Sequence, residues 1–412
     1  MKKKSAHKKK SNKKLSTWSI GGSIFAMFFG AGNIVFPLAL GFHYNAHPWF
    51  AYFGMILTAV CVPLIGLISM LLYSGDYQRF FGSIGKLPGI IFIVAILCVI
   101  GPFGGIPRAI AVSHATLSSL AEPPSKLIPS LPWFSLICCV LIYIFSCKLS
   151  RLIQWLGSVF SPIMLITLLW VLIRSFMLPP HPAIDTFSPN AQQAWVAGVI
   201  EGFNTMDLLA TFFFCSIVLI SLRQLIAHEN HTGDEEIPLS FQQINKKNRR
   251  TLVLGFLLAA VLLGAVYLGF VLSAARHADL LVNVSKGCIL GKISAIALGP
   301  NSILTGTSIF IACLTTEIAL VGIVADFLAR VISFKKLNYP IAVILTLIPT
   351  YFISILNFET ISLLLLPLLQ LSYPALIVLA CGNIAHKLWN FRYVQALFYL
   401  TLSLTIILRL IG

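Results

Sequence analysis

Eleven apolar runs, each long enough to cross a bilayer, constrain this chain more than any other feature. A helix needs about 20 apolar residues to span the hydrocarbon layer. Runs of that length occupy roughly 18–41, 49–73, 89–118, 131–149, 152–178, 194–222, 251–275, 302–330, 337–356, 358–381 and 391–411. Each is far longer than the ~9–11 alternating residues of a transmembrane strand. The expected fold is therefore an all-α integral membrane bundle of about 11 helices. Composition agrees, because 58% of the 412 residues are hydrophobic and only 10% are charged. A water-soluble globule carries about 25% charged residues, so that class is excluded, as are disordered, collagen-like and coiled-coil chains.

The net charge of +16 is explained by topology. Eight of the 29 Lys and Arg stand in the first 14 residues, a stretch with no acid and no apolar face. This segment, 1–17, reads as a solvated basic tail on an anionic membrane surface. Nucleic-acid binding is not expected, since no aromatic precedes Trp18 to interleave with the bases. The following apolar run exceeds a signal-peptide core of 7–15 residues and lacks a clean small-residue cleavage site, so it reads as a retained first span. A cytoplasmic N-terminus places 22 basic residues inside and six outside, with Arg108 alone within a span. That is the direction of the positive-inside rule, and eleven spans would then leave Gly412 outside. The longest loop, about 223–250, carries both signs and is expected in the cytoplasm. Nine cysteines show no CxxC and no metal-ligand spacing; they read as small packing residues, and no cofactor is implied.

Two spans carry helix-breaking residues at their centres. In the first, Gly30, Ala31, Gly32 and Asn33 interrupt the apolar run, with Pro37 one turn later. In the sixth, Glu201, Gly202, Asn204, Thr205 and Asp207 do the same. Unwound backbone at membrane depth is tolerated where it lines a cavity. The alternatives are a close Gly–x–Gly contact between helices in the first span and acids that hydrogen-bond a broken helix together in the sixth. The breaks lie at corresponding positions five spans apart. Paired interruptions of this kind point to the midplane site of a secondary transporter, where half-helix N-termini suit a carboxylate and unwound carbonyls suit a cation.

Two further spans carry polar clusters. The third holds GPFGGIPR, whose Arg108 is expected to meet Glu201 or Asp207 in an ion-pair network, or to reach water at a cavity. The eighth holds ACLTTEIALVG, where Thr315, Thr316 and Glu317 offer oxygen atoms to a hard cation. For either Thr the alternative is a back-bond to the carbonyl four residues earlier.

FFGAGNIVFP, GPFGGIPR, EGFNTMDLLA and ACLTTEIAL together resemble the signature segments of the bacterial branched-chain amino-acid carrier family, over about residues 18–382. The resemblance implies a leucine-transporter fold of two inverted five-helix repeats, here about 18–178 and 194–382, with broken helices 1 and 6. An extra C-terminal helix, 383–412, would follow. It places the substrate against Gly30, Ala31, Gly32, Asn33, Phe203, Asn204 and Thr205. It also implies a Na⁺ site formed by backbone near Ala26 and Phe29 with the Thr315 and Thr316 hydroxyls. Two departures stand out: eleven spans are counted where the family usually has twelve, and Glu317 follows the Thr pair. Glu317 could strengthen Na⁺ binding, add a proton-linked step or form a structural ion pair.

The resulting expectation is a symporter importing leucine, isoleucine, valine and methionine with a cation, Na⁺, across the bacterial cytoplasmic membrane. Phe28, Phe29 and Phe203 are the candidate apolar walls. The alternative is a uniporter, proton symporter or exchanger of other neutral amino acids. An enzyme is not expected, because HExxH, GxSxG and P-loop motifs are absent. A channel would need rings of repeated filter residues.

Overall fold

A computed structural model describes residues 17–120, 128–147, 161–181, 189–216, 219, 246–332 and 337–411. The expected basic tail, most of the 223–250 loop and the start of the fifth span lie outside the described residues, as do the topology-setting Lys126, Lys148, Arg151, Lys335 and Lys336.

All regular structure among the described residues is helical. Seven helical stretches are long and apolar enough to cross a membrane, and four shorter apolar helices accompany them. Together they fall on the eleven runs marked in the sequence. The least distinct boundary, between the ninth and tenth spans, is set by a helix cap. The ninth helix, Tyr339–Ser354, ends before Asn357, whose side chain accepts the Thr360 N–H at 2.8 Å and starts the tenth helix, Phe358–Trp389.

Close helix approach here depends on missing side chains, because lipid tails supply no hydrophobic force between spans. The second span, Pro48–Leu72, packs on the sixth through reciprocal glycines. A Cβ on Gly198 would stand 2.1 Å from the Ala51 carbonyl oxygen, and one on Gly54 would stand 2.1 Å from that of Trp195. One turn after Gly198, Gly202 makes room for Thr58, whose hydroxyl donates to the Val199 carbonyl at 2.9 Å. The seventh span, Lys246–Arg276, meets the first where Gly41 faces the Val271 carbonyl. The centre is filled by aromatics such as Phe25, Phe36, Phe212 and Phe270, all fully buried. The last helix, Val394–Ile411, buries only Val394 and Phe398 and exposes Leu400, Leu408 and Leu410, as a helix facing lipid would.

The third span is also interrupted, which the sequence reading did not anticipate. Lys86–Ile100 and Gly105–Leu120 are separated by a turn at 101–104. The Gly101, Pro102, Gly104 and Gly105 cluster explains it. Glycine and proline are the poorest helix formers, and side chains at Gly104 or Gly105 would strike the carbonyls of Val99 and Ile100.

Candidate functional site

Two spans break at the centre of the bundle. In the first, the helix Thr17–Phe28 stops, Gly30 turns to extended backbone, and Ala31–His43 begins. The expected gap of Gly30–Asn33 is thus narrower, with Ala31, Gly32 and Asn33 forming the first turn of the second half-helix. In the sixth, Ala191–Asn204 ends, Met206 adopts the left-handed region at φ 62°, and the helix resumes over 207–216. A non-glycine residue in that region costs roughly 1–3 kcal/mol and persists where its surroundings hold it, commonly at functional sites.

Both restarted half-helices open onto one cavity enclosing about 490 Å³ between atoms, space at its mouth included. Gly30, Ala31, Gly32 and Asn33 line it from the first span, Arg108 from the third, Thr205, Met206 and Asp207 from the sixth, and Thr316 from the eighth. Phe28, Ile100, Ala210, Phe214 and Leu320 supply apolar wall. A second, apolar cavity of about 260 Å³ shares Phe28 and Asp207 with the first.

Asn33 fastens the two breaks together. Its Oδ1 accepts the Gly30 N–H at 3.1 Å, and its Nδ2 donates to Asp207 Oδ2 at 2.7 Å. Tyr267 of the seventh span also donates to Asp207 Oδ2, at 3.2 Å, and accepts from Asn33 Nδ2. The carboxylate sits in the first turn of its half-helix, where the positive end of the dipole favours it. Tyr267 was missed by sequence reasoning because a lone Tyr in an apolar run carries no signal of its own.

Arg108 is 3% exposed and its Nη1 has no hydrogen-bond partner. It is held by rings, with its guanidinium carbon 5.0 Å from the Phe36 centroid and 6.0 Å from that of Phe358. Of the two arrangements expected for Arg108, a direct ion pair with Glu201 or Asp207 does not form, and the side chain lines the cavity instead. Among the described residues Arg108 makes no ion pair. Glu201 instead reaches Lys286 at 3.1 Å and accepts from Asn204 at 2.8 Å. Helical direction is the reason: Glu201 and Asp207 flank the break and project to different surroundings.

Other expected residues stand beside the cavity without lining it. Phe203 packs on Tyr373 with centroids 4.6 Å apart. Asn204 turns toward Glu201. Phe29 is buried in a stack with Phe25 and Phe270. The side chain of Ala26 lies outside the described residues. On the eighth span, the helix Ser302–Phe327, Thr316 and Leu320 are one turn apart and face the cavity. Thr315 and Glu317 are each rotated ~100° from Thr316 and do not. Both Thr hydroxyls donate to the Ala312 carbonyl, at 2.7 and 3.2 Å, leaving their oxygen lone pairs able to accept or ligate. Glu317 is buried with Cys138, Cys139 and Cys313 nearby, and no ion pair reaches it among the described residues.

Comparison with known proteins places this arrangement. Residues 13–411 match the profile of a family described as branched-chain amino acid transport protein. A protein named as a branched-chain amino acid carrier in Staphylococcus saprophyticus is 30% identical over 377 residues, covering 87% of this chain and 79% of that one. The branched-chain amino acid permease BrnQ of Lactobacillus delbrueckii is 28% identical, covering 92% and 82%. Among solved structures, MhsT in complex with L-phenylalanine aligns with a TM-score of 0.58 at 15% identity, covering 95% of this chain and 98% of that one. Inward-facing Mhp1 aligns with a TM-score of 0.62 at 12% identity, covering 90% and 77%. Both have the leucine-transporter fold, whose inverted five-helix repeats each open on a broken helix, as the first and sixth spans do here. The chain is a multi-pass membrane transporter, not an enzyme, and it belongs to the branched-chain amino acid transport protein family.

Proposed function

We propose that this protein imports leucine, isoleucine, valine and methionine by symport with a cation, Na⁺, through alternating access in the bacterial cytoplasmic membrane, with its N-terminus inside. One observation carries the reading: a cavity at the two helix breaks combines half-helix N-termini, an Arg, an Asp and apolar walls. An amino-acid zwitterion with a hydrocarbon side chain matches that set, and the names of the relatives point to the branched-chain class. Apolar walls discriminate one methylene by only ~1–3 kcal/mol, which favours several related substrates over one. Sodium is supported by Thr316, a cavity-lining residue beside the break in the first span, whose hydroxyl oxygen keeps lone pairs suited to a hard cation.

Uptake of labelled isoleucine into proteoliposomes, with and without an inward Na⁺ gradient, tests this. Accumulation above equilibrium is expected only with the gradient. Accumulation that ignores Na⁺ and follows a pH gradient overturns the sodium assignment. Movement of another neutral amino acid but not isoleucine overturns the substrate.

A further inference from the structure

We infer that Arg108 receives the α-carboxylate of the transported amino acid and Asp207 its ammonium group, so that the cavity selects both charged ends before it reads the side chain. The inference rests on the transporter reading above and names how that site recognises its substrate.

A guanidinium buried at membrane depth without a carboxylate partner is costly unless something else meets it. Arg108 is such a group: it lines the cavity and its Nη1 is unpartnered. The two acids nearest in sequence logic are engaged elsewhere, Glu201 by Lys286 and Asp207 by Asn33 and Tyr267. The position is built to hold the fork still. Phe36 and Phe358 pack together beside its guanidinium carbon, and a Cβ on Gly32 would stand 2.9 Å from Nη2. Gly32 also lies in the first turn of a half-helix, so the positive helix end and the guanidinium act on the same region. A planar fork with a free N–H suits a carboxylate, which it can bind in two parallel bonds.

Asp207 decides between an amino acid and a simple anion. Its carboxylate borders the same cavity, so a bare anion at Arg108 would meet a negative charge. A zwitterion satisfies both groups and leaves its side chain to Phe28, Ile100 and Phe214.

The test uses the purified full chain in nanodiscs. Binding of the twenty amino acids is ranked. The tightest binder is then compared with its primary amide, which keeps the ammonium and loses the carboxylate charge, and with its deaminated acid. Each analogue is expected to bind about 30-fold or more weakly, the effect of removing one member of a buried charge pair. In Arg108→Gln the amino acid weakens but the amide does not, so their ratio collapses toward one. Gly32→Ala, which crowds Nη2 without removing charge, is expected to shrink the same ratio and serves if the first variant does not fold. An amide that binds wild-type protein as tightly as its acid overturns the inference. So does a ratio that both variants leave at its wild-type value. A tightest binder outside the branched-chain class overturns the substrate reading while leaving the inference standing; no binding by any of the twenty overturns both.

Discussion

Asn33 and Asp207, 174 positions apart in the chain, join the two broken helices through a 2.7 Å hydrogen bond. The contact ties the first turn of each restarted half-helix to the other, with the Tyr267 hydroxyl closing a three-membered cluster. Relative movement of the two breaks would strain or exchange this bond.

Removing the link is expected to impair transport more than folding. Asn33→Ala deletes both the donor to Asp207 and the acceptor of the Gly30 N–H. Hydrogen bonds to charged groups contribute ~1.5–3 kcal/mol, so half-saturation should rise roughly 10- to 150-fold. Kinetics of isoleucine uptake, normalised to protein in the membrane, check this. Wild-type half-saturation would place Asn33 outside the transport cycle.

Tyr267→Phe keeps the ring and deletes only the hydroxyl. A smaller defect, on the order of tenfold in half-saturation, is expected from loss of one charged hydrogen bond. Combined with Asn33→Ala, the two losses should be less than additive, because the residues share Asp207. A fully additive double variant would show that they act separately.

The two adjacent threonines should separate. Thr316 faces the cavity and Thr315 does not, so Thr316→Ala is expected to raise the half-saturating Na⁺ concentration several-fold while Thr315→Ala moves it little. Equal sensitivity, or none, would remove Thr316 from the proposed cation site.

Lys286 pairs with Glu201 away from the cavity, with side chains 34% and 17% exposed. Partly exposed pairs contribute at most about 1 kcal/mol. Lys286→Ala should therefore change half-saturation by no more than about fivefold. A large loss would return Glu201 to the expected network with Arg108 and Asp207.

Gly198→Leu is expected to destabilise the bundle without any direct effect on ligand contacts. Its side chain would drive the second and sixth spans apart, where a Cβ already meets the Ala51 carbonyl at 2.1 Å. Overpacking costs ~1–3 kcal/mol, seen as a lower melting temperature in detergent. An unchanged melting temperature would mean that the spans have room the structure does not show.

Much of the site could be read before folding. Gly30, Asn33, Thr205 and Asp207 are visible because polar and helix-breaking residues in an apolar run have no business facing lipid, and all four reach the cavity. The break in the third span has its own signal, since Gly101 and Pro102 precede Gly104 and Gly105, but the unbroken apolar run on either side reads as one span. The family resemblance implied Phe203 and Asn204 as substrate contacts, but the last turn before the break directs them to Tyr373 and Glu201. Lys286, partner of Glu201, lies 85 positions away, at the start of the short 3-10 turn Lys286–Cys288, where nothing local marks it.

The sequence by itself determined the solvent, the number of spans and where two of them break, because apolar length and helix-breaking composition are properties read along one dimension. Only the tertiary structure decided which polar groups meet. A helix turns ~100° per residue, so neighbours such as Thr315, Thr316 and Glu317 face different partners. How closely two helices approach is set by glycines on both, such as Gly54 and Gly198. Pairing Asn33 with Asp207, Glu201 with Lys286, and Arg108 with two aromatic rings needs both quantities at once, and neither is written in a single span.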